Sequence, residues 1–379
     1  MQHVLITGGA GFIGSHLTKE LCSKGYSVRI LDNLSPQIHG DSAQIPEWVD
    51  DLSVEFHRGC ITNRADVKNA LEDIDIVIHL AAETGTGQSM YEIQKYNDVN
   101  SQGTAVLLDI IANKETKSVK RILLASSRSV YGEGAYTCSN CADKTRQCPD
   151  SRTAQVLAEE KWDPLCSICG SSLTPLPTKE TDSIKPASIY AATKFAQEHL
   201  ISVFCESQGI GFGILRLQNV YGEGQSLNNP YTGILSIFST RIRRDLNLPI
   251  FEDGNETRDF IHVSDVANSF LAAITTHNSP NCIVNVGTGQ LTTVKEVATK
   301  LTTAFGKTPN ITVTGEYRIG DIRHNRADIT LLKDKLNYTP KVDLEKGLKS
   351  FVDWVQSQDL PEDLLDKANN ELKAKNLMG

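Results

Sequence analysis

Tyr190 and Lys194 stand four residues apart in SIYAATKFAQEHLISVFCESQG, residues 188–209. On a helix that spacing puts both side chains on one face. A free tyrosine titrates near 10, so service as a base near neutral pH needs roughly three units of lowering, about 4 kcal/mol. A lysine ammonium beside the phenol supplies part of that field. The pair could then move a proton on or off a hydroxyl. Tyr-x-x-x-Lys alone arises often by chance. It gains weight from KRILLASS, a strand-like run that ends upstream in Ser126 and Ser127. A second constellation is Cys138-x-x-Cys141 and Cys166-x-x-Cys169, separated by the 24 residues 142–165. Each pair can present two thiolates to one ion. Four thiolates close a tetrahedral Zn²⁺ site with no open position, which makes such a site structural. Gly170 suits the tight turn after the second pair. Disulfides and a redox switch are the alternatives, and Cys148 is left over.

These groups need a frame. LITGGAGFIGSHL, residues 5–17, places Gly9-x-Gly11-x-x-Gly14 between a strand and a helix. Glycine lets the backbone approach a pyrophosphate, and the helix N-terminus aims N–H groups at it. The next strand ends in Asp32, followed by Asn33. A carboxylate there can bind both ribose hydroxyls and would repel a 2′-phosphate, so NAD is expected rather than NADP. A bound nicotinamide ring adds positive charge beside Tyr190. HVLITG, YSVRILD, LSVEFHRG, DIVIHLAA, KRILLASS and GFGILRL read as buried strands. Helix-length segments, such as 12–24 and 97–113, lie between them. That alternation predicts an α/β fold: a doubly wound parallel sheet of the Rossmann type, with a smaller C-terminal substrate domain and a Cys-rich insertion.

The 379 residues suffice for one large α/β unit or two modest domains. The net charge of −8 and the lack of a basic run argue against nucleic acid as a partner. No apolar run reaches the roughly 18 residues of a membrane span, and no secretory leader is visible, so a cytoplasmic location is expected. Nine cysteines then favour reduced thiols or metal over disulfides. The expected segments are 1–134 (cofactor core), 135–178 (cysteine insertion), 179–225 (catalytic helix and return to the core), 226–356 (mainly substrate domain) and 357–379 (tail). The tail reads as a solvent-facing helix.

TGGAGFIG, with Gly8, Gly11 and Gly14 spaced by three, resembles the extended short-chain dehydrogenase/reductase family. HLAA at 79–82, VNSQGT at 99–104, SSRSVYG at 126–132, YAATK at 190–194, RLQNVYG at 216–222 and RDFIHVSDVA at 258–267 extend the resemblance in order. Such proteins act mostly on nucleotide-linked sugars. The resemblance implies that Tyr190 is the acid/base, that Lys194 activates it and holds the nicotinamide ribose, and that Ser127 bonds the reacting sugar oxygen. It implies a cofactor wall of Gly8, Gly11, Phe12, Ile13, Gly14, Asp32, Asn33, Cys60, Ile61, Leu80, Ala81 and Ala82, with Asn100 in support. Cys60 stands where the family often has Asp against the adenine. On the substrate side it implies Ser127, Ser129, Asn219, Arg258, Asp321 and Arg318 or Arg323 around a nucleotide diphosphate. Arg128 would touch a substrate hydroxyl or serve structurally. Asn325 falls where some relatives carry a bulky aromatic. Sugar dehydratases of this family usually carry Asp-Glu where this chain reads Ser127-Arg128, so epimerisation, most simply at C4, is expected over dehydration. The insertion beside the active site is similar to that of the dTDP-L-rhamnose 4-epimerase branch. A reductase, a decarboxylase or a non-catalytic NAD-sensing protein are the rival readings. A homodimer is expected, as in many family members.

Overall fold

The computed structural model describes residues 2–379 except 41–42, 117–118, 143–144, 230, 232 and 277–280. Its centre is a seven-stranded parallel sheet. The strands are β1 (His3–Thr7), β2 (Ser27–Asp32), β3 (Glu55–Arg58), β4 (Ile76–His79), β5 (Arg121–Ser127), β6 (Gly211–Leu217) and β7 (Asn281–Val286). The spatial order is β7-β6-β5-β4-β1-β2-β3. The order reverses between β1 and β4, and a crevice forms at the carboxyl ends of strands at such a switch point.

The strands read as unbroken apolar runs because both faces are covered. In β1, Val4 and Ile6 pack against Leu17 and Leu21 of helix α1 (Phe12–Ser23). Leu5 turns to the other face, in one cluster with Leu107 and Ile111 of α2 (Gly103–Ala112) and Ile201 of α3 (Ile189–Gln208). A separate core forms among α4 (Ile234–Arg243), α6 (Val294–Ala304) and α7 (Leu344–Ser357), around Phe238, Val297 and Phe351. Helix α5 (Val263–Thr275) lies between them in the chain and packs Phe270 on the first core. Among the described residues no helix is long and apolar enough to cross a membrane.

Two local departures matter for the site. The expected helix over 97–113 opens as a π-helical turn, Asn97–Gln102, before α2 begins. Hydrophobic periodicity cannot signal a single wide turn. The tail faces solvent on one side only. Helix α8 (Leu365–Ala374) buries Leu365, Ala368 and Leu372. Residues 377–379 then bond to 317–319, with Tyr317 N donating to the Gly379 carbonyl at 2.8 Å. Glu371 accepts from both Tyr91 and Tyr231 hydroxyls, at 3.1 and 2.6 Å, which joins the sheet body to the far side of the cleft.

Helix α3 is held by a buried ion pair. Glu198 takes Arg216 of β6 in a two-point contact, at 2.7 Å (Nη2–Oε2) and 3.0 Å (Nε–Oε1), with both side chains under 5% exposed. Ser126 of β5 donates to the same carboxylate. Removing one partner of such a pair leaves a buried charge alone and costs about 3–5 kcal/mol. Glu198→Ala is therefore expected to lower unfolding free energy by about 3 kcal/mol or more in chemical denaturation. A loss below about 1 kcal/mol would show that α3 is held by apolar packing instead.

Candidate active site and cysteine cluster

The crevice at the sheet switch point holds two adjoining clefts. The first has a volume of about 420 Å³. Its floor is the glycine turn between β1 and α1. Gly8 has φ +70°, and a Cβ there would meet Ala81 N at 2.8 Å; a Cβ on Gly14 would lie 2.5 Å from the Gly9 carbonyl oxygen. Both positions therefore require glycine. Helix α1 starts at Gly11 with no capping side chain, so its first N–H groups keep their demand for an acceptor. Asp32 sits at the end of β2, accepting from Ala10 N at 3.0 Å and Leu34 N at 2.9 Å. That is a dinucleotide cradle: close backbone approach for a pyrophosphate and a fixed carboxylate for a ribose.

Every residue expected in the cofactor wall lines this cleft except Asn100. Asn100 is fully buried behind it. Its amide donates to Glu83 O at 3.1 Å and Thr193 Oγ1 at 2.9 Å, and its carbonyl accepts from Glu83 N. The π-helical turn thus ties the loop after β4 to helix α3. Cys60 lines the wall with its thiol 3.1 Å from the Thr62 hydroxyl.

Ser127 and Tyr190 stand where the first cleft meets the second, and they line both. Helix α3 starts at Ser188, whose hydroxyl accepts from Ala191 N. Capping there fixes the phase of the helix, so Tyr190 in its first turn faces the clefts. Burial raises the Tyr190 pKa, and a hydrogen bond from Ser127 and the charge of Arg128 oppose that rise. Lys194 lines the first cleft only. Burial brings its ammonium down to about 7, with the Glu198 charge opposing. Its Nζ donates to Gln197 Oε1 at 2.7 Å, and the Gln197 amide continues to Thr104 and His79. Burial, then Lys194, pushes His79 down to about 3, so the imidazole is neutral near pH 7.

The second cleft, of about 300 Å³, is lined by Ser127, Arg128, Ser129, Tyr190 and Asn219, and none of its lining residues is a carboxylate. Arg128 Nε donates to Asn219 Oδ1 at 2.9 Å. Tyr231, Thr84 and Thr86 also line it; they sit in stretches without periodicity or motif, so nothing in the residue pattern marks them. The other expected substrate residues stand elsewhere. Arg323 is not a free phosphate ligand. Its guanidinium is taken by Asp253 at 2.6 Å, Asp163 at 2.9 Å and Glu252 at 3.0 Å. Arg318 lies over the Phe251 ring at 4.7 Å and donates to Asn369 of α8. Arg258 is buried and donates to the carbonyls of Thr257 and Arg323. The backbone carbonyl of Asp321 receives Arg152 at 3.0 Å. The Asn325 amide is buried with no partner among the described residues. An arginine in a motif reads the same in sequence whether it meets a phosphate or a carboxylate.

The four cysteines converge. Their sulfur atoms all lie within 4.8 Å of one another. Cys138 and Cys169 are 3.5 Å apart, and Cys141 and Cys166 3.7 Å. Gly170 has φ +73° and donates to Cys166 O, so the turn expected after the second pair is present. The Cys166 sulfur accepts from Gln147 and from Ile168 N. The lobe is also tied down independently of sulfur. Arg152 is buried between Glu133 at 3.0 Å and Glu252 at 2.9 Å.

Sheet order, glycine turn and the Ser–Tyr–Lys set define an NAD-dependent enzyme of the Rossmann class. The chain belongs to the NAD dependent epimerase/dehydratase family, whose model matches residues 4–154 and 166–287. It is 38% identical over 365 residues to a dTDP-L-rhamnose 4-epimerase of Burkholderia thailandensis, covering 94% of this chain and 96% of that protein. It is 28% identical to a UDP-N-acetyl-alpha-D-glucosaminuronate decarboxylase of Bacillus cytotoxicus, covering 93% and 97%. A UDP-glucuronic acid 4-epimerase from Bacillus cereus, solved with UDP-glucuronic acid and NAD, superposes with a TM-score of 0.73 at 26% identity, covering 94% and 99%.

Asp32 generates a prediction. Calorimetry should show NAD binding at least about tenfold more tightly than NADP, since a 2′-phosphate would meet a buried carboxylate. Equal affinities would remove Asp32 from that role.

Proposed function

We propose that the chain epimerises a nucleotide-diphosphate sugar at C4, with dTDP-L-rhamnose or its C4 epimer as substrate. The observation that carries this reading is the placement of Ser127 and Tyr190 at the junction of two clefts, one a dinucleotide cradle and the other free of carboxylates. Tyr190 accepts the proton of the C4 hydroxyl, and Ser127 holds the oxygen as the carbonyl forms. NAD, held along Gly8, Gly11, Gly14 and Asp32 of the first cleft, would supply the hydride acceptor and donor for C4. Between the two transfers the 4-keto sugar turns over in the second cleft. Tyr190 then gives its proton back, so neither protons nor electrons are consumed. Removing water from the sugar would need a further acid and base, and the second cleft offers no carboxylate for either. The choice of sugar and base is supported by the B. thailandensis relative and the coverage of both chains.

Cys138, Cys141, Cys166 and Cys169 hold one structural Zn²⁺ in this reading. Four thiolates leave no position for substrate, and proton and hydride transfer are already assigned.

Purified protein should convert dTDP-L-rhamnose to a second nucleotide sugar, followed by NMR, without added cofactor. Tyr190→Phe should keep its fold and NAD binding while turnover falls about 10²-fold or more. Activity within threefold of the parent would place the proton transfer on another group. Elemental analysis should find about one zinc per chain. Replacing Cys138 and Cys141 by Ser should release it and weaken substrate binding, with NAD binding preserved. Metal-free protein with paired disulfides would overturn the zinc assignment.

A further inference from the structure

We propose that Arg128 is a second cation of the reaction centre, fixed on the substrate side of Tyr190, where it stabilises the phenolate that accepts the sugar proton. The inference rests on the function proposed above and adds a positioning charge to it. It starts from how the two clefts divide the charged groups. Ser127 and Tyr190 belong to both clefts. Lys194 lines only the cofactor cleft and Arg128 only the substrate cleft. Tyr190 therefore lines both clefts, with Lys194 in the wall of the first and Arg128, which follows β5, in the wall of the second.

Arg128 is suited to the role by what it lacks. No carboxylate lies within ion-pair distance of it among the described residues, whereas Arg152, Arg216 and Arg323 each hold one or more. Its Nε is fixed by Asn219, which orients the guanidinium without neutralising it. Loss of solvent, reinforced by the nearby Arg258 charge, brings its pKa down to about 9, so it stays protonated near neutral pH. Arg128 also reaches Tyr190 electrostatically in the direction that favours the phenolate.

Other charged and titratable groups face Tyr190. Lys194 and Glu198 lie on its own helix. Tyr96, from the segment Ile93–Tyr96, meets its ring edge-on at 6.5 Å, and its hydroxyl is kept protonated by burial. Glu83 follows β4 and is paired with Lys95 at 3.3 Å. Arg258, Asp321 and Glu133 act on Arg128 from the substrate side. Of these, Arg258 adds to the positive field, while Glu198 and Glu133 are bound to Arg216 and Arg152.

The sign follows directly. Oxidation at C4 requires the phenolate, so its rate rises with pH through the Tyr190 pKa. Removing the Arg128 charge raises that pKa and moves the acid limb to higher pH. A nearby opposite charge shifts such values by about one unit. The experiment is the pH profile of kcat/KM for the parent, Arg128→Gln and Arg128→Lys. We expect the acid limb of Arg128→Gln to move up by about one pH unit. Arg128→Lys should restore most of the shift. A limb that stays in place while the rate falls would reduce Arg128 to a packing or binding residue and overturn the inference. An ultraviolet titration of phenolate in the NAD-loaded protein, read for the parent and for Arg128→Gln each as the difference from the same protein carrying Tyr190→Phe, gives the same comparison without turnover. Inactivity towards every nucleotide sugar with an intact Arg128-dependent phenolate titration would therefore sink the proposed function alone. An unshifted titration in Arg128→Gln would sink this inference alone.

Discussion

Helix α3 is positioned by one buried ionic contact. Glu198 sits two turns below Tyr190 on α3, and its carboxylate is gripped from β6 by Arg216 and from β5 by Ser126. Ser126 neighbours Ser127, which lines the clefts. The same contact therefore fixes the helix that brings the tyrosine and the strand that brings the serine. Arg216 also donates to the Tyr131 hydroxyl at 2.8 Å, and Tyr131 donates to Asn285 of β7. Three adjacent strands and the helix share one polar knot. Its desolvation cost is tolerable only because nearly every donor and acceptor is used.

Tyr190 and Lys194 are treated oppositely. Burial works against charge on both, raising the phenol and lowering the ammonium. The groups behind Lys194 are neutral amides, hydroxyls and an uncharged His79, so no strong counter-charge competes for its ammonium apart from the more distant Glu198. A lysine locked in a salt bridge would be a weaker partner for a ribose or a phenolate. The second cleft keeps to the same pattern: it is polar, it contains a cation, and it has no carboxylate in its wall.

Much of the fold was legible because buried parallel strands are apolar on both faces and end in glycine, serine or aspartate. The glycine turn, Asp32 and the α3 spacing carried the cofactor side for the same reason: local geometry demands those residue types. The substrate side was less legible. Arg318 and Arg323 lie in a motif-like run, but partners over 50 residues away decide their roles: Asn369 for one, Glu252 and Asp163 for the other. The wide turn at 97–102 leaves no mark on apolar spacing. The tail looked solvent-facing because its buried positions, Leu365, Ala368 and Leu372, are diluted by charged neighbours, and the docking of Glu371 depends on two distant tyrosines.

The cysteine lobe has two moorings that differ in chemistry. One is the sulfur cluster; the other is Arg152, sealed between Glu133 and Glu252. Thiolates respond to oxidants and chelators, while a buried guanidinium responds to neither. Attack on the sulfur end would therefore leave the lobe hinged rather than cast off. Glu133 also receives Arg323 N at 2.7 Å, so the inner mooring is continuous with the segment that carries Arg323.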